Sequence, residues 1–135
     1  MKKLLFSTTN KPWAIDVASL LLRIVFGVLM IPHGYGKLQN FDSYKAKFMS
    51  FMGLSQSLSL GLAIFAEFFC AILLTLGLFT RFSTIALIVT FIVVVFKAHP
   101  MDFFGDGEMG TLYLGAYISI LLLGPGKYSL DNLIK

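Results

Sequence analysis

The chain has 135 residues, the length of a single domain, and 57% of them are hydrophobic while only 13% are charged. With a mean hydropathy of +0.83, this composition excludes an ordinary soluble domain and indicates an integral membrane protein. The net charge is +4, but the lysines and arginines are scattered between apolar blocks, so nucleic-acid binding is not predicted. Cys70 is the only cysteine, which rules out an intrachain disulfide, a CxxC pair and a cysteine-rich metal site.

Four apolar segments predict an all-α membrane protein, a bundle of four transmembrane helices. A helix needs about 17 to 25 residues to cross the hydrocarbon, and lipid offers the backbone no hydrogen bonds, so each segment should be helical. The whole chain, residues 1–135, is predicted to be one transmembrane domain. Its spans are residues 14–31, 58–78, 82–98 and 109–123.

The first segment ends on the stretch IPHGYGKL, residues 31–38. Pro32 is predicted to end the helix where the hydrocarbon ends. Gly34 and the second glycine of the stretch would then let the chain turn sharply at the rim. His33 and Lys37 are left facing a pocket mouth or the lipid head groups.

Aromatic residues recur at helical spacing in the long first loop, at Phe41, Tyr44, Phe48 and Phe51. With charged residues between them, they predict a short amphipathic helix. It could lie flat in the membrane interface or pack over the mouth of the bundle, and the two arrangements are compatible.

Glycines and prolines predict the remaining boundaries. The stretch GLFTRF, residues 77–82, predicts a tight hairpin between the second and third helices, and Pro100 should end the third. The stretch GPG, residues 124–126, should end the fourth, after which Ser129 could cap a short tail helix.

Charge distribution predicts the orientation. The side shared by both termini and the second loop carries six basic residues against four on the other side. The positive-inside rule therefore predicts cytoplasmic termini, with the first and third loops facing outward. Trp13, Tyr113 and Tyr117 are predicted to anchor the chain at the membrane interface.

Two charged residues lie within apolar segments, Arg23 in the first and Glu67 in the second. A charge at the centre of a membrane helix costs about 2.5 to 3.5 kcal/mol, so both side chains should face the bundle interior. Counted from opposite ends they fall near the same depth, which predicts an Arg23–Glu67 ion pair, either structural or part of a ligand site. Alternatively, Arg23 snorkels to an interface or reaches Asp16, and Glu67 is protonated.

Further polar residues gather where the helices meet the outward side. Two histidines and an acid could hold zinc or iron, relay protons or anchor a quinone carbonyl. Interfacial histidine and lysine could equally snorkel or bind lipid phosphate. No HxxxH or HExxH spacing occurs, so no metal site is predicted. With the two buried charges, the predicted ligand-binding residues are Arg23, His33, Lys37, Glu67, His99 and Glu108.

The stretches LRIVFGVLMIPHGYGKL, LAIFAEFFCAILLTLGLFTR and GPGKYSLDNLI, taken together, resemble the DoxX family over about residues 16–133. The resemblance implies a four-helix bundle in a bacterial inner membrane. It also implies a functional context, since the family is named after a terminal quinol oxidase complex. A related family forms a subunit of a thiosulfate:quinone oxidoreductase, and other members are linked to oxidative-stress complexes. The family pattern falls on Arg23, His33, Gly34, Lys37, Glu67, Gly77, Arg81, Gly124, Pro125 and Gly126.

The predicted function is that of a small inner-membrane subunit of a quinone-linked redox system. It would bind a quinone-like or other amphiphilic molecule at the outward mouth, without a bound redox centre of its own, and would receive electrons from a redox partner protein. One alternative is a non-enzymatic protein that anchors or assembles a soluble partner at the membrane. The other is a small lipid or solute handler, which would require a homodimer because the chain has no inverted repeat.

Overall fold

The apolar segments form long helices in the computed structural model of the protein, which describes residues 5–43, 55–98, 104–105 and 107–134. In apolar surroundings a helix is the structure in which a single segment satisfies its own backbone hydrogen bonds. The first helix is Pro12–Gln39, and the second comprises Gln56–Ile64, the π-helical segment Phe65–Cys70 and Ala71–Leu76. The third is Thr80–Val93 with a π-helical end, Val94–Ala98, the fourth is Glu108–Leu123, and a tail helix follows at Leu130–Ile134.

The first helix does not end at Pro32, so that prediction was wrong. The helix continues to Gln39 with Pro32 in its interior. A proline removes one backbone hydrogen bond, but leaving the helix in apolar surroundings would expose several more unpaired groups. Its 28 residues extend about 42 Å, which exceeds the roughly 30 Å of a hydrocarbon core. The last turns can therefore extend beyond the apolar layer.

Chain reversals occur at the predicted glycines. Gly77 adopts a left-handed conformation with φ 74°, and its amide donates to the carbonyl of Leu74 at 3.0 Å. The third helix then begins at Thr80, which confirms the hairpin. The fourth helix ends before Gly124, whose φ is 82°. In the tail, the hydroxyl of Ser129 accepts from the amide of Asn132 at 3.3 Å, which confirms the predicted cap.

Each of the four long helices packs on the next along the chain, and the first also packs on the fourth. Tyr113 and Tyr117 lie in the core, 6% and 0% exposed, so their predicted role as interface anchors was wrong. Together with Ile120 they recur every three or four residues along the buried face of the fourth helix. The central cluster of buried residues comprises Met30, Ala66, Cys70, Ala71, Leu74, Leu87, Phe91, Tyr113, Tyr117 and Ile120.

Large apolar side chains are exposed on the outer faces of all four long helices, such as Leu21, Phe69, Phe82 and Leu122. Two helices, Pro12–Gln39 and Ser57–Leu76, are long and apolar enough to cross a membrane. Thr80–Phe96 and Glu108–Leu123 are apolar but shorter, so the four-span arrangement stays a prediction. Three of the four aromatic residues of the predicted amphipathic helix, Tyr44, Phe48 and Phe51, lie outside the described residues, as does Pro100.

Candidate functional site

Two glycines of the first helix determine how it lies against the second. A Cβ atom on Gly34 would lie 2.5 Å from the amide nitrogen of Phe68 and 2.6 Å from the carbonyl carbon of Glu67. A Cβ on Gly27 would lie 3.2 Å from the carbonyl oxygen of Ala71. Since neither position has room for a side chain, the two helices approach closely at both levels. Gly34 therefore serves close packing beside Glu67, and the sharp turn predicted there is not formed.

This register separates Arg23 from Glu67, and the predicted ion pair between them is not formed. Arg23 lies opposite the end of the second helix, where its Nη1 donates to the carbonyl oxygens of Thr75 at 3.3 Å and Leu74 at 3.5 Å. Its Nη2 donates to the carbonyl oxygen of Tyr128 at 2.7 Å. Thr75 follows Glu67 by eight positions, a rise of about 12 Å along a helix. The expected match in depth was wrong because the two helices are staggered, so that Gly34 rather than Arg23 lies beside Glu67.

Glu67 pairs instead with Lys37, from the last turns of the first helix. The Nζ atom of Lys37 lies 2.5 Å from Oε2 of Glu67. The glutamate side chain is 6% exposed and the lysine side chain 20% exposed. An unpaired carboxylate buried to this degree would be strongly disfavoured, so the lysine provides the charge that Glu67 requires. Two of the six predicted ligand-binding residues are thus in direct contact.

The direction of side chains on a helix explains how Lys37 reaches back to Glu67. Each Cα–Cβ bond tilts towards the helix N-terminus, so a side chain covers the turn that precedes it. The turn preceding Lys37 contains Gly34, where the backbones of the two helices meet beside Glu67. The absence of a side chain on Gly34 leaves the lysine stem a short path to the carboxylate.

Glu67 lies in the π-helical segment Phe65–Cys70, which interrupts the second helix. A π-helical turn contains more residues than an α-helical turn, so it changes the direction in which its side chains point. Such turns weaken the regular hydrogen bonding and occur frequently at functional positions. In this protein the segment directs a carboxylate, with Ala66 and Cys70, towards the interior.

Aromatic rings from three helices pack together and form a group that we call the aromatic cluster: Phe26, His33, Phe91, Tyr113 and Tyr117. The ring centroid of Tyr113 lies 5.5 Å from those of Phe26 and Phe91, and the exposed ring of His33 packs edge-on against it at 6.2 Å. The hydroxyl of Tyr117 donates to the carbonyl of Phe26 at 3.0 Å. His33 precedes Lys37 by four positions on the first helix, so the cluster and the ion pair meet the same side of that helix one turn apart.

The other predicted residues do not join this pair within the part of the chain that the structure describes. Glu108 is the first residue of the fourth helix and is exposed, and no ion pair there involves its carboxylate. His99 lies outside the described residues. Within the described ranges, no group of three or more His, Cys, Asp or Glu side chains is placed to hold a metal ion. The candidate site is therefore the Lys37–Glu67 pair with the aromatic cluster.

Arg23 belongs to a second polar group at the end of the bundle that carries the C-terminal tail. We call it the terminal cluster: Arg23, Gly77, Thr80, Ser129 and Asp131. The carboxylate of Asp131 accepts from the amides of Phe79 at 2.8 Å and Thr80 at 2.9 Å, and its own amide donates to the carbonyl of Gly77 at 2.9 Å. Asp131 thereby caps the start of the third helix from a distant part of the chain.

The environment of Asp131 favours its charged form. Burial raises the pKa of this carboxyl, but the hydrogen bonds from Thr80 and Phe79 and the positive charge of Arg23 together outweigh burial, so its pKa is lowered from 3.8. A Cβ on Gly77 would lie 2.5 Å from Nη1 of Arg23, so this glycine also gives the guanidinium its space. The contacts of the terminal cluster hold the tail against the second and third helices.

The composition, the exposed apolar faces and the two helices of membrane length are those of a membrane protein. The sequence model of the DoxX family matches residues 18–100, more than half of the chain. The chain belongs to the DoxX family. It is 26% identical over 126 residues to the inner membrane protein YqjF of Escherichia coli (strain K12), which covers 89% of this chain and 94% of that protein. No solved structure matches the chain.

Proposed function

We propose that the chain is the membrane subunit of a quinone-linked redox system and binds a quinone-like, amphiphilic molecule beside Lys37 and Glu67. The observation that carries this proposal is a 2.5 Å ion pair, largely buried in an apolar helical protein, next to a cluster of aromatic rings. Electrons would reach the quinone from a redox partner protein, since quinone reduction requires two electrons and two protons.

Stability alone does not account for a buried ion pair. Replacing such a pair with apolar side chains of similar size is often neutral or stabilising, and an ionisable residue within a membrane segment marks a candidate functional site. The pair combines a hydrogen-bond donor with an acceptor. The ammonium group of Lys37 would donate to a quinone carbonyl oxygen, and the carboxylate of Glu67 would accept from a quinol hydroxyl. One pair could therefore hold both redox forms.

The surroundings of the pair suit a flat ring with an apolar tail. His33 and Tyr113 present ring faces and edges of the kind that pack against another aromatic ring. Lys37 is partly exposed, which gives a ligand a path to the pair. An apolar tail would lie along the exposed side chains of the first helix, such as Leu38.

We also propose four spans in a bacterial inner membrane with both termini in the cytoplasm. The inner-membrane location named for YqjF and the excess of basic residues on the terminal side support this arrangement. A fluorescent reporter that matures only in the cytoplasm, fused after the last residue, should be fluorescent. A dark but stable fusion would contradict the proposed topology.

Quinone bound to the purified protein tests the proposed site. Full-length wild type, Glu67→Gln and Glu108→Gln are purified with their native lipids, and extracted quinone is measured per chain. Glu108→Gln is the matched control because it makes the same chemical change at an exposed carboxylate. We expect quinone in wild type and in Glu108→Gln. Glu67→Gln should contain at least about tenfold less, because a hydrogen bond to a charged group contributes about 1.5 to 3 kcal/mol.

Two results would contradict the quinone site. In one, wild type contains no quinone and its thermal unfolding does not shift when a short-chain quinone is added. In the other, both variants retain as much quinone as wild type. A soluble partner captured equally by wild type and Glu67→Gln would then favour an anchoring role.

A further inference from the structure

A groove lies at the end of the bundle that carries the C-terminal tail, away from Lys37 and Glu67. Residues 79–82, at the start of the third helix, form one wall, and residues 125–126 and 131–132 form the other. Its volume is about 520 Å³, which is room for a polar head group as well as water. The groove includes exposed apolar side chains, so it opens onto the surface that would face lipid.

Arg81 extends along this groove with its guanidinium held in position. Its Nη1 donates to the carbonyl oxygen of Leu121 at 3.1 Å, one of the last carbonyls of the fourth helix that have no partner within that helix. This contact uses one of the five N–H donors of an arginine. Among the described residues, no other hydrogen bond involves the Arg81 side chain, which is exposed. Capping a helix therefore accounts for only part of its donor capacity.

The chemistry around Arg81 combines positive charge with apolar rings. Phe79 and Phe82 are 63% and 57% exposed on the same wall, and Lys127 is exposed next to the opposite wall. Asp131 contributes a negative charge, but both of its oxygens accept backbone amides, which directs it towards the protein. The guanidinium group of an arginine can donate two parallel hydrogen bonds, like a fork, to the oxygens of a phosphate. Basic pockets at the ends of membrane helices bind anionic lipid head groups.

We propose that this groove binds the phosphate of an anionic phospholipid. Arg81 provides the forked donor, Lys127 provides a second cation, and the rings of Phe79 and Phe82 pack against the glycerol and acyl chains. This site is at the opposite end of the bundle from the proposed quinone site and does not depend on it. Its ligand would be a permanent lipid, which would hold the tail against the start of the third helix.

Lipid titration of the purified full chain in nonionic detergent tests this site, with bound lipid counted by native mass spectrometry. Phosphatidylglycerol should bind more tightly than phosphatidylcholine. Arg81→Gln should lower the affinity for phosphatidylglycerol about tenfold, since one basic residue contributes about 1 kcal/mol near anionic lipid and the lost fork adds to it. Arg81→Lys, which keeps the charge without the fork, should give an intermediate affinity.

The matched control is Lys11→Gln, which removes an exposed positive charge outside the groove. It should leave the affinity for phosphatidylglycerol nearly unchanged. Equal affinity of wild type for the two lipids, or equal losses in Arg81→Gln and Lys11→Gln, would overturn the proposal. A photoreactive phosphatidylglycerol on the wild-type protein gives a test that needs no variant. It should label residues 79–82 or 125–132, and labelling confined to other segments would overturn the proposal too.

Discussion

Arg23 and Glu67 are both buried in the bundle, but the protein neutralises them differently. Arg23 is 0% exposed and donates to three backbone carbonyls from two separate parts of the chain. Glu67 is also buried and faces the ammonium group of Lys37, whose side chain is itself partly exposed. Backbone carbonyls at helix ends cannot move away without unfolding the local structure. A lysine side chain, in contrast, can change rotamer within the folded protein.

The comparison shows that a buried charge does not by itself identify a binding site. The partners of Arg23 fix it as part of the structure that holds the tail. The partner of Glu67 is a flexible and partly exposed side chain, which under the proposed function would exchange its contact for a ligand. The nature and exposure of the partner therefore distinguish a structural charge from a candidate functional one.

Removing Arg23 should give the largest loss of stability. In Arg23→Met, the carbonyl oxygens of Thr75 and Tyr128 lose their donor, while that of Leu74 keeps the amide of Gly77, and each buried carbonyl left unpaired costs about 1 to 3 kcal/mol. We expect the free energy of unfolding in mixed detergent micelles to fall by about 3 kcal/mol or more. Arg81→Met, which loses one exposed contact to Leu121, should fall by less than about 1 kcal/mol. Equal losses in the two variants would show that Arg23 is not the structural charge described above.

A methyl group on Gly34 should disturb the other end of the bundle. Its Cβ would meet the backbone of Glu67 and Phe68 at 2.5 to 2.8 Å, and backbone atoms cannot move aside as a side chain can. Gly34→Ala should therefore lower the free energy of unfolding by about 1 to 3 kcal/mol. Gly36→Ala is the matched control in the same helix, because a Cβ there has no atom within 4 Å. It should be neutral or stabilising, and a similar loss in both variants would contradict the close approach at Gly34.

Asp131 should give a smaller, pH-dependent effect. Its pKa in the folded state is lowered from 3.8, so its contribution to stability is fully present above that value and is lost as the pH falls through the folded pKa. Asp131→Asn should lower the free energy of unfolding at neutral pH by about 1 kcal/mol, as expected for a weakened helix cap. Below pH 3.8 the difference from wild type should shrink. Unfolding curves of wild type and variant that stay parallel at all pH values would contradict this role.

Boundaries with a strong local cause could be predicted from the sequence. Gly77 and Gly124 both adopt positive φ, a conformation that glycine adopts without strain, and each ends a helix where predicted. Pro32 misled the prediction because the sequence signal is the same in a loop and in a membrane helix. Only the apolar surroundings make continuing the helix less costly than leaving it.

The composition of the candidate site was predictable in part, but its pairings were not. Lys37 and Glu67 are both among the predicted ligand-binding residues. Their contact could not be predicted, because it depends on the helix register set by Gly27 and Gly34. That register comes from packing between helices that are distant in sequence. The capping role of Asp131 was not predicted, because the amides that it caps, those of Phe79 and Thr80, lie about fifty residues earlier in the chain. Tyr113 could have been recognised as buried from its spacing with Tyr117 and Ile120.

Double-mutant cycles on Glu67 test most directly which cation it pairs with. The cycle of Lys37→Met with Glu67→Gln should show a coupling of about 2 kcal/mol or more, because Lys37→Met alone leaves a buried carboxylate unpaired and the double variant does not. The cycle of Arg23→Met with Glu67→Gln should be additive within about 0.5 kcal/mol, as for residues that share no partner. Strong coupling of Glu67 to Arg23 and none to Lys37 would contradict the pairing described here at both ends of the bundle.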